Sequence, residues 1–199
     1  MFHDTATLKT ELAGYASAHS KLTRMVKSGA WIRIRRGLYL DATTPGVSPL
    51  NLAGILCGPS YVSFEYALSY HSLIPEEVRT ITCASFHKNK HKTFDTPIGR
   101  FTYMSLPDQV YPLAVMLQEE NGAGFLIATP EKALCDQLYK QGSLNSLRAL
   151  EALLFDDLRL EKGDLLALDR GLIRTLAPLY RRTCLRLFSS WIDKEAAHA

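Results

Sequence analysis

Much is missing from this sequence, and each absence removes a class of protein. The four cysteines, Cys57, Cys83, Cys135 and Cys184, form no Cys-x-x-Cys pair and have no histidine at zinc spacing. They read as four reduced thiols in a cytoplasmic protein, with no bound metal expected. No apolar run approaches the roughly 20 residues that a membrane-spanning helix needs, so no membrane partner is expected. Met1 is followed by His3 and Asp4, not by a basic stretch and an apolar core, so no signal peptide is read. There is no glycine-rich phosphate loop. Gly54, Gly58, Gly122 and Gly124 read as chain punctuation, and no cofactor is expected. Internal repeats and low-complexity segments are also missing. What remains is a chain of 199 residues, 47% apolar and 22% charged, which allows one large globular domain or two small ones.

The most telling absence is local. Residues 17–40, SAHSKLTRMVKSGAWIRIRRGLYL, contain no acid at all. Ser17 is placed to cap a helix with its hydroxyl oxygen. Ala18, Leu22, Met25 and Val26 then recur at helical spacing and form one apolar stripe. Ser17, Ser20, Lys21, Arg24 and Lys27 fall off it. Gly29 stops the helix where a positive φ is wanted. The period then changes to two. Ile32 and Ile34 point one way and Arg33 and Arg35 the other, with Arg36-Gly37 as the turn into the strand Leu38-Tyr39-Leu40. A helix with a cationic outer face followed by a basic hairpin is the shape of a winged helix-turn-helix, whose helix enters the major groove of DNA. Charge agrees. Residues 1–40 hold seven Lys or Arg against Asp4 and Glu11, a net +5, whereas the other 159 residues carry −2. A polyanion-binding front joined to a near-neutral body is the expected organisation.

Ahead of this stretch, Asp4 or Thr5 caps a short helix with Leu8, Leu12 and Tyr15 on one face, and Gly14 makes the turn. Almost no chain is left for the further helix that a complete winged domain carries in front. After the polar connector DATTPGV, Ser48-Pro49 opens a helix that stops at Gly58-Pro59. Ser63 begins the next, through FEYALSYHSLI to Pro75. VRTITCAS reads as a strand, residues 94–96 and 100–106 as a hairpin about Pro97-Ile98-Gly99, and FLIA as a short buried strand. Thr129-Pro130-Glu131 opens another helix with Ala133, Leu134, Gln137 and Leu138 inside. A leucine-patterned helix starts at Ser143, and the tail is helical with breaks at Gly163, Gly171 and Pro178. The fold class expected is α+β: a small winged helix-turn-helix over 1–45, short of its first helix, and an α+β domain over 46–199 with a small central sheet flanked by helices.

The order LTRMVKSGAWIRIRRGLYL, YVSFEYALSYHSLIPEEV, VRTITCAS, GRFTYMSL and IATPEKALCDQLY resembles the AbiEi family of bacterial antitoxins. That resemblance implies a type IV toxin–antitoxin system. Its antitoxin represses its own operon through an N-terminal winged helix-turn-helix on operator double-stranded DNA. The C-terminal domain counteracts a nucleotidyltransferase-like toxin without a stable complex. By position, residues 17–27 become the DNA-reading helix and 31–40 the wing, while SFEYALSYHSLIPE and TPEKALCDQLY match the C-terminal signatures.

The candidate DNA contacts are therefore Ser17, His19 and Ser20 at the helix N-terminus, and Lys21, Arg24 and Lys27 along it. Arg33, Arg35 and Arg36 act as phosphate clamps that position the protein without choosing sequence. Trp31 reads as core rather than as a base-stacking platform. Lys88, Lys90, His91 and Lys92, beside His87, form a second basic cluster, either an anion- or toxin-contacting loop or an ordinary solvated one. Two rival readings remain. One is a winged-helix regulator whose C-terminal domain senses a ligand or dimerises, with no toxin partner. The other is a nuclease built on Glu65, Asp95, Glu131 and Lys132. It is disfavoured because no acid and lysine alternate along a strand as metal-dependent nucleases place them. No catalytic residue is assigned.

Overall fold

The structure is a computed structural model that describes residues 2–88, 90–142 and 144–198. The fold is α+β, with a three-stranded sheet at the front and a six-stranded sheet in the body. Asp4 accepts the Thr7 N–H at 2.7 Å and so opens α1 (Thr5–Glu11). Ser17 accepts the Ser20 N–H at 3.2 Å and opens α2 (Ala18–Lys27). Gly29 follows α2 at φ +77°, and Gly37 turns the hairpin at φ +84° between β2 (Trp31–Arg35) and β3 (Leu38–Asp41). Leu8, Leu12, Leu22 and Trp31 form a small core of their own. Tyr15, expected beside Leu8 and Leu12, is instead 51% exposed, because α1 ends at Glu11 and the residue leaves the helix face.

Two features of this front segment differ from the expectation. The chain ahead of α1 forms a strand, β1 (Phe2–Asp4), which pairs antiparallel with β3 to give the order β1-β3-β2. Nothing in three residues announces a strand. It exists because β3 offers it an unpaired edge. The second difference is a β-bulge: the register passes from Arg33 opposite Tyr39 to Arg35 opposite Leu38, leaving Ile34 as an extra residue. The simple alternation of Ile32 and Ile34 against Arg33 and Arg35 therefore breaks. Arg35 falls on the Leu38 side, its guanidinium 5.7 Å from the Phe94 ring. Ile34, Leu38 and Leu40 are buried in the same core as the body residues Leu50 and Leu52. One side of the front sheet thus faces α1 and α2, and the other is covered by the body.

The connector leads into α3 (Pro49–Leu56), capped by Ser48 with Pro49 in its first turn. Then come β4 (Ser60–Val62), α4 (Phe64–Tyr70), β5 (Ile81–Ser85), and the hairpin β6 (Lys92–Thr96) and β7 (Gly99–Ser105). A second hairpin joins β8 (Val115–Glu120) to β9 (Ala123–Ala128). The body sheet runs β6-β7-β5-β4-β9-β8, with β5–β7 and β4–β9 parallel and the other pairs antiparallel. Strand VRTITCAS shortens to β5. Strands β4 and β8 went unread, and α4 stops at Tyr70, before Pro75.

Helix α5 (Pro130–Lys140), capped by Thr129, is buried along every face from Glu131 to Leu138. The start assigned to Ser143 lies outside the described residues. The helix there, α6 (Leu147–Glu151), is capped by Ser146 and continues as a π-helical turn, Ala152–Asp157. The tail forms α7 (Lys162–Ala167), α8 (Arg170–Leu176), a 3-10 turn at Ala177–Tyr180, and α9 (Thr183–Ala197). Gly163 and Gly171 sit inside α7 and α8 rather than between helices, since helical φ and ψ are open to glycine at modest cost. The four cysteines are buried and free.

Candidate nucleic-acid interface

Helix α2 and the hairpin β2–β3 enclose an open groove of about 720 Å³. Its floor is apolar, from Leu22, Val26 and Tyr39. Its rim is basic, from His19 and Lys27 on α2 and Arg33 and Arg36 on the hairpin. The helical period explains the α2 side: His19, Thr23 and Lys27 recur every four residues and share one flank, next to the buried stripe. Thr23 was not singled out from the sequence, although this spacing identifies it. Its hydroxyl donates to the His19 carbonyl at 2.9 Å, which leaves the methyl as its outer surface. Ser17 and Ser20 are hydrogen-bonded to each other at 3.0 Å at the start of the helix.

Not every predicted contact converges here. Arg24 is exposed on the outer face of α2, near the groove but not in its lining. Lys21 lies on the other flank, where its ammonium sits 4.6 Å from the centre of the Tyr15 ring. Arg35 is turned to Phe94 by the bulge. The groove thus collects His19, Lys27, Arg33 and Arg36, with Arg24 and Ser20 on the adjoining outer face. Among the described residues, none of Lys21, Arg24, Lys27, Arg33, Arg35 and Arg36 takes part in an ion pair. Their charge is left to whatever the surface meets.

The second basic cluster is far less organised. His87 stacks on Phe86 with ring centres 3.9 Å apart and meets Asp108 at 2.7 Å. The Lys88 N–H donates to the Ser105 hydroxyl, and Lys90 and His91 are exposed. Lys92 belongs to β6 rather than to the loop.

The two body signatures meet inside the protein. Lys132 and Asp136, one turn apart on α5 and both fully buried, pair at 2.6 Å. Tyr180 accepts from Lys132 and donates to Asp136. Ser63 and Tyr61 donate to the other Asp136 oxygen at 2.6 and 3.2 Å. Burial, and then the Asp136 carboxylate beside it, hold the Tyr61 and Tyr180 hydroxyls protonated far above the ordinary phenol range. Ser63 precedes α4 but does not cap it, because its hydroxyl is committed to Asp136. At the margin of this packing Glu65 accepts from Gln137 at 3.0 Å and Lys140 at 2.6 Å. Glu131, in the first turn of α5, accepts the Asp169 N–H at 3.1 Å and so ties α5 to the start of α8.

The residues of the nuclease reading are dispersed by this arrangement. Lys132 is enclosed, Glu131 and Glu65 have the partners just named, and Asp95 pairs with Arg100 on the exposed β6–β7 hairpin. Among the described residues, no three His, Cys, Asp or Glu side chains come together as a metal site requires. No helix is long and apolar enough to cross a membrane among the described residues. A comparison of the chain with protein-family models gave no match, and a comparison with curated protein sequences gave none either.

Proposed function

We propose that this chain is a DNA-binding repressor of the AbiEi antitoxin kind. The single observation that supports this most is the groove between α2 and the hairpin, rimmed by His19, Lys27, Arg33 and Arg36 with no acid among its lining residues. The outer face of α2, with Ser20, Arg24 and Lys27, enters the major groove of operator double-stranded DNA. Arg33 and Arg36 flank the helix and hold the phosphate backbone. Thr23 presents a methyl group where a thymine methyl can meet it. The body opposes a nucleotidyltransferase-like toxin in the same cytoplasm without a stable complex. That part rests on the resemblance of the two body signatures alone.

Electrophoretic mobility shift on the DNA directly upstream of the chain's own gene tests the first half. Sequence-specific binding at about 10 nM protein or below at physiological salt is expected. Equal affinity for any duplex removes the repressor reading. Co-expression with the adjacent gene tests the second half. Growth rescued by the full chain supports an antitoxin, and an adjacent gene whose expression is harmless removes it.

A further inference from the structure

A second large cleft lies at the seam where the front sheet meets the body, and its chemistry is the opposite of the basic groove. It encloses about 390 Å³ between Phe2 of β1, residues 44–47 of the connector, Asn51 and Ile55 of α3, and residues 121–124 at the β8–β9 turn. Among the described residues, no charged side chain lines it. The wall is apolar where Phe2, Val47 and Ile55 contribute and polar where the asparagines and the glycine backbone do. Ile55 is 45% exposed and adds open apolar surface to that wall.

The seam is held in a defined shape. Asn51 donates to the Ala123 carbonyl at 2.8 Å and so fixes α3 to β9. Gly46, Asn121 and Gly122 all have positive φ, at +63°, +53° and +76°. A Cβ at Gly46 would stand 3.3 Å from the Asn121 side chain, a tight approach, and the positive φ at residue 46 also favours glycine where connector and hairpin turn meet. The Asn121 amide has no hydrogen-bond partner among the described residues, which leaves a donor and an acceptor at the rim. Size, mixed lining and position between two parts of a chain are those of a small-molecule pocket.

We propose that this cleft binds a small uncharged molecule with an apolar body and one hydrogen-bonding end, of the aromatic amide or alcohol class. A charged ligand would give up its hydration with no counter-charge to receive it. An apolar body gains by covering Phe2, Val47 and Ile55. A hydroxyl or amide end finds Asn121 and the backbone around Gly46 and Gly122. The inference does not depend on DNA binding by the front groove.

The test uses matched probes on the full chain: benzamide against benzamidine, and indole against indole-3-carboxylate. The readout is the amide proton–nitrogen spectrum. The neutral probes are expected to shift the Gly46, Gly122 and Ala123 amides saturably at low-millimolar concentration. Their charged counterparts should bind about tenfold more weakly or worse. Ile55→Asp puts a charge on one wall, and Ala123→Trp fills the cleft from the other. Each should remove the shifts, while Leu147→Asp, a comparably exposed leucine outside the lining, should not. A spectrum with native dispersion shows that each variant is folded. The proposal is overturned if neither neutral probe shifts those amides, if charged probes bind as well as neutral ones, or if binding survives both wall variants.

Discussion

The lysines and arginines of this chain are used in two ways, divided between its front and its body. Among the described residues, six of the sixteen in the body meet acids: Arg100 with Asp95, Lys132 with Asp136, Lys140 with Glu65, Arg159 with Glu76, Lys162 with Glu195 and Arg174 with Asp193. In residues 17–40 none does, among the described residues. A paired cation has its field cancelled nearby and acts within the fold, whereas an unpaired one on an open surface acts on whatever approaches. Near-zero charge in one part and +5 in the other are thus two different designs, and net charge over the whole chain hides both.

The sharpest way to break this comparison is to remove a body partner. Asp136→Ala leaves the Lys132 ammonium enclosed with only the Tyr180 hydroxyl, and should cost about 3–5 kcal/mol. In a chain of this size that lowers the melting temperature by about 6–20 °C. Replacing the pair together by Met and Leu removes the lone charge but leaves the Tyr61, Ser63 and Tyr180 hydroxyls without their acceptor, so it should recover only part of that loss. A calorimetric or fluorescence melt of the three proteins decides it.

A smaller loss is expected at the front from Ser17→Ala, which removes the α2 cap and should cost about 1 kcal/mol by denaturant melt. Smaller still is the effect of Arg33→Ala combined with Arg36→Ala on stability, within about 0.5 kcal/mol, since neither arginine holds an acid. The same double variant should weaken DNA binding strongly, which is the opposite ranking from Asp136→Ala. A stability loss above about 2 kcal/mol would show that the front arginines serve the fold after all.

The slightest effect concerns acid. Burial would raise the Glu65 carboxyl, but the hydrogen bonds from Lys140, its own backbone and Gln137 hold it below its ordinary value. Unfolding therefore takes up a proton near that ordinary value of 4.5. The stability Glu65 contributes is whole above it and fades as pH falls through the lower, folded value. Glu65→Gln should flatten that acid limb in melts between pH 3 and 6, leaving the neutral plateau otherwise parallel to the parent.

Most of the local architecture was legible in the sequence because local chemistry sets it. Ser17, Ser48 and Thr129 cap helices as their types and positions require, and Gly29 and Gly37 take the left-handed φ that ends a helix or turns a hairpin. What was not legible depends on partners distant in sequence. β1 is a strand only because β3 lies beside it, and the bulge that redirects Arg35 leaves no mark on the alternation of Ile32 to Arg35. Lys132 reads from sequence only as a member of the disfavoured nuclease set, yet it pairs with Asp136 on its own helix, and Tyr61, Ser63 and Tyr180 reach that pair from two other segments. At the candidate site the same rule held. His19 and Lys27 were nameable from composition, but only the placement of the hairpin separates them from Lys21, which faces Tyr15 instead.

The most direct measurement is the salt dependence of DNA binding by the full chain. If Arg24, Lys27, Arg33 and Arg36 meet phosphates, log K plotted against log salt should fall with a slope of about −3 to −4, and the Arg33→Ala, Arg36→Ala variant should lose about 2 of it. A slope near zero, or a slope that the double variant leaves unchanged, would contradict a duplex-facing role for the unpaired charges at the front of the molecule.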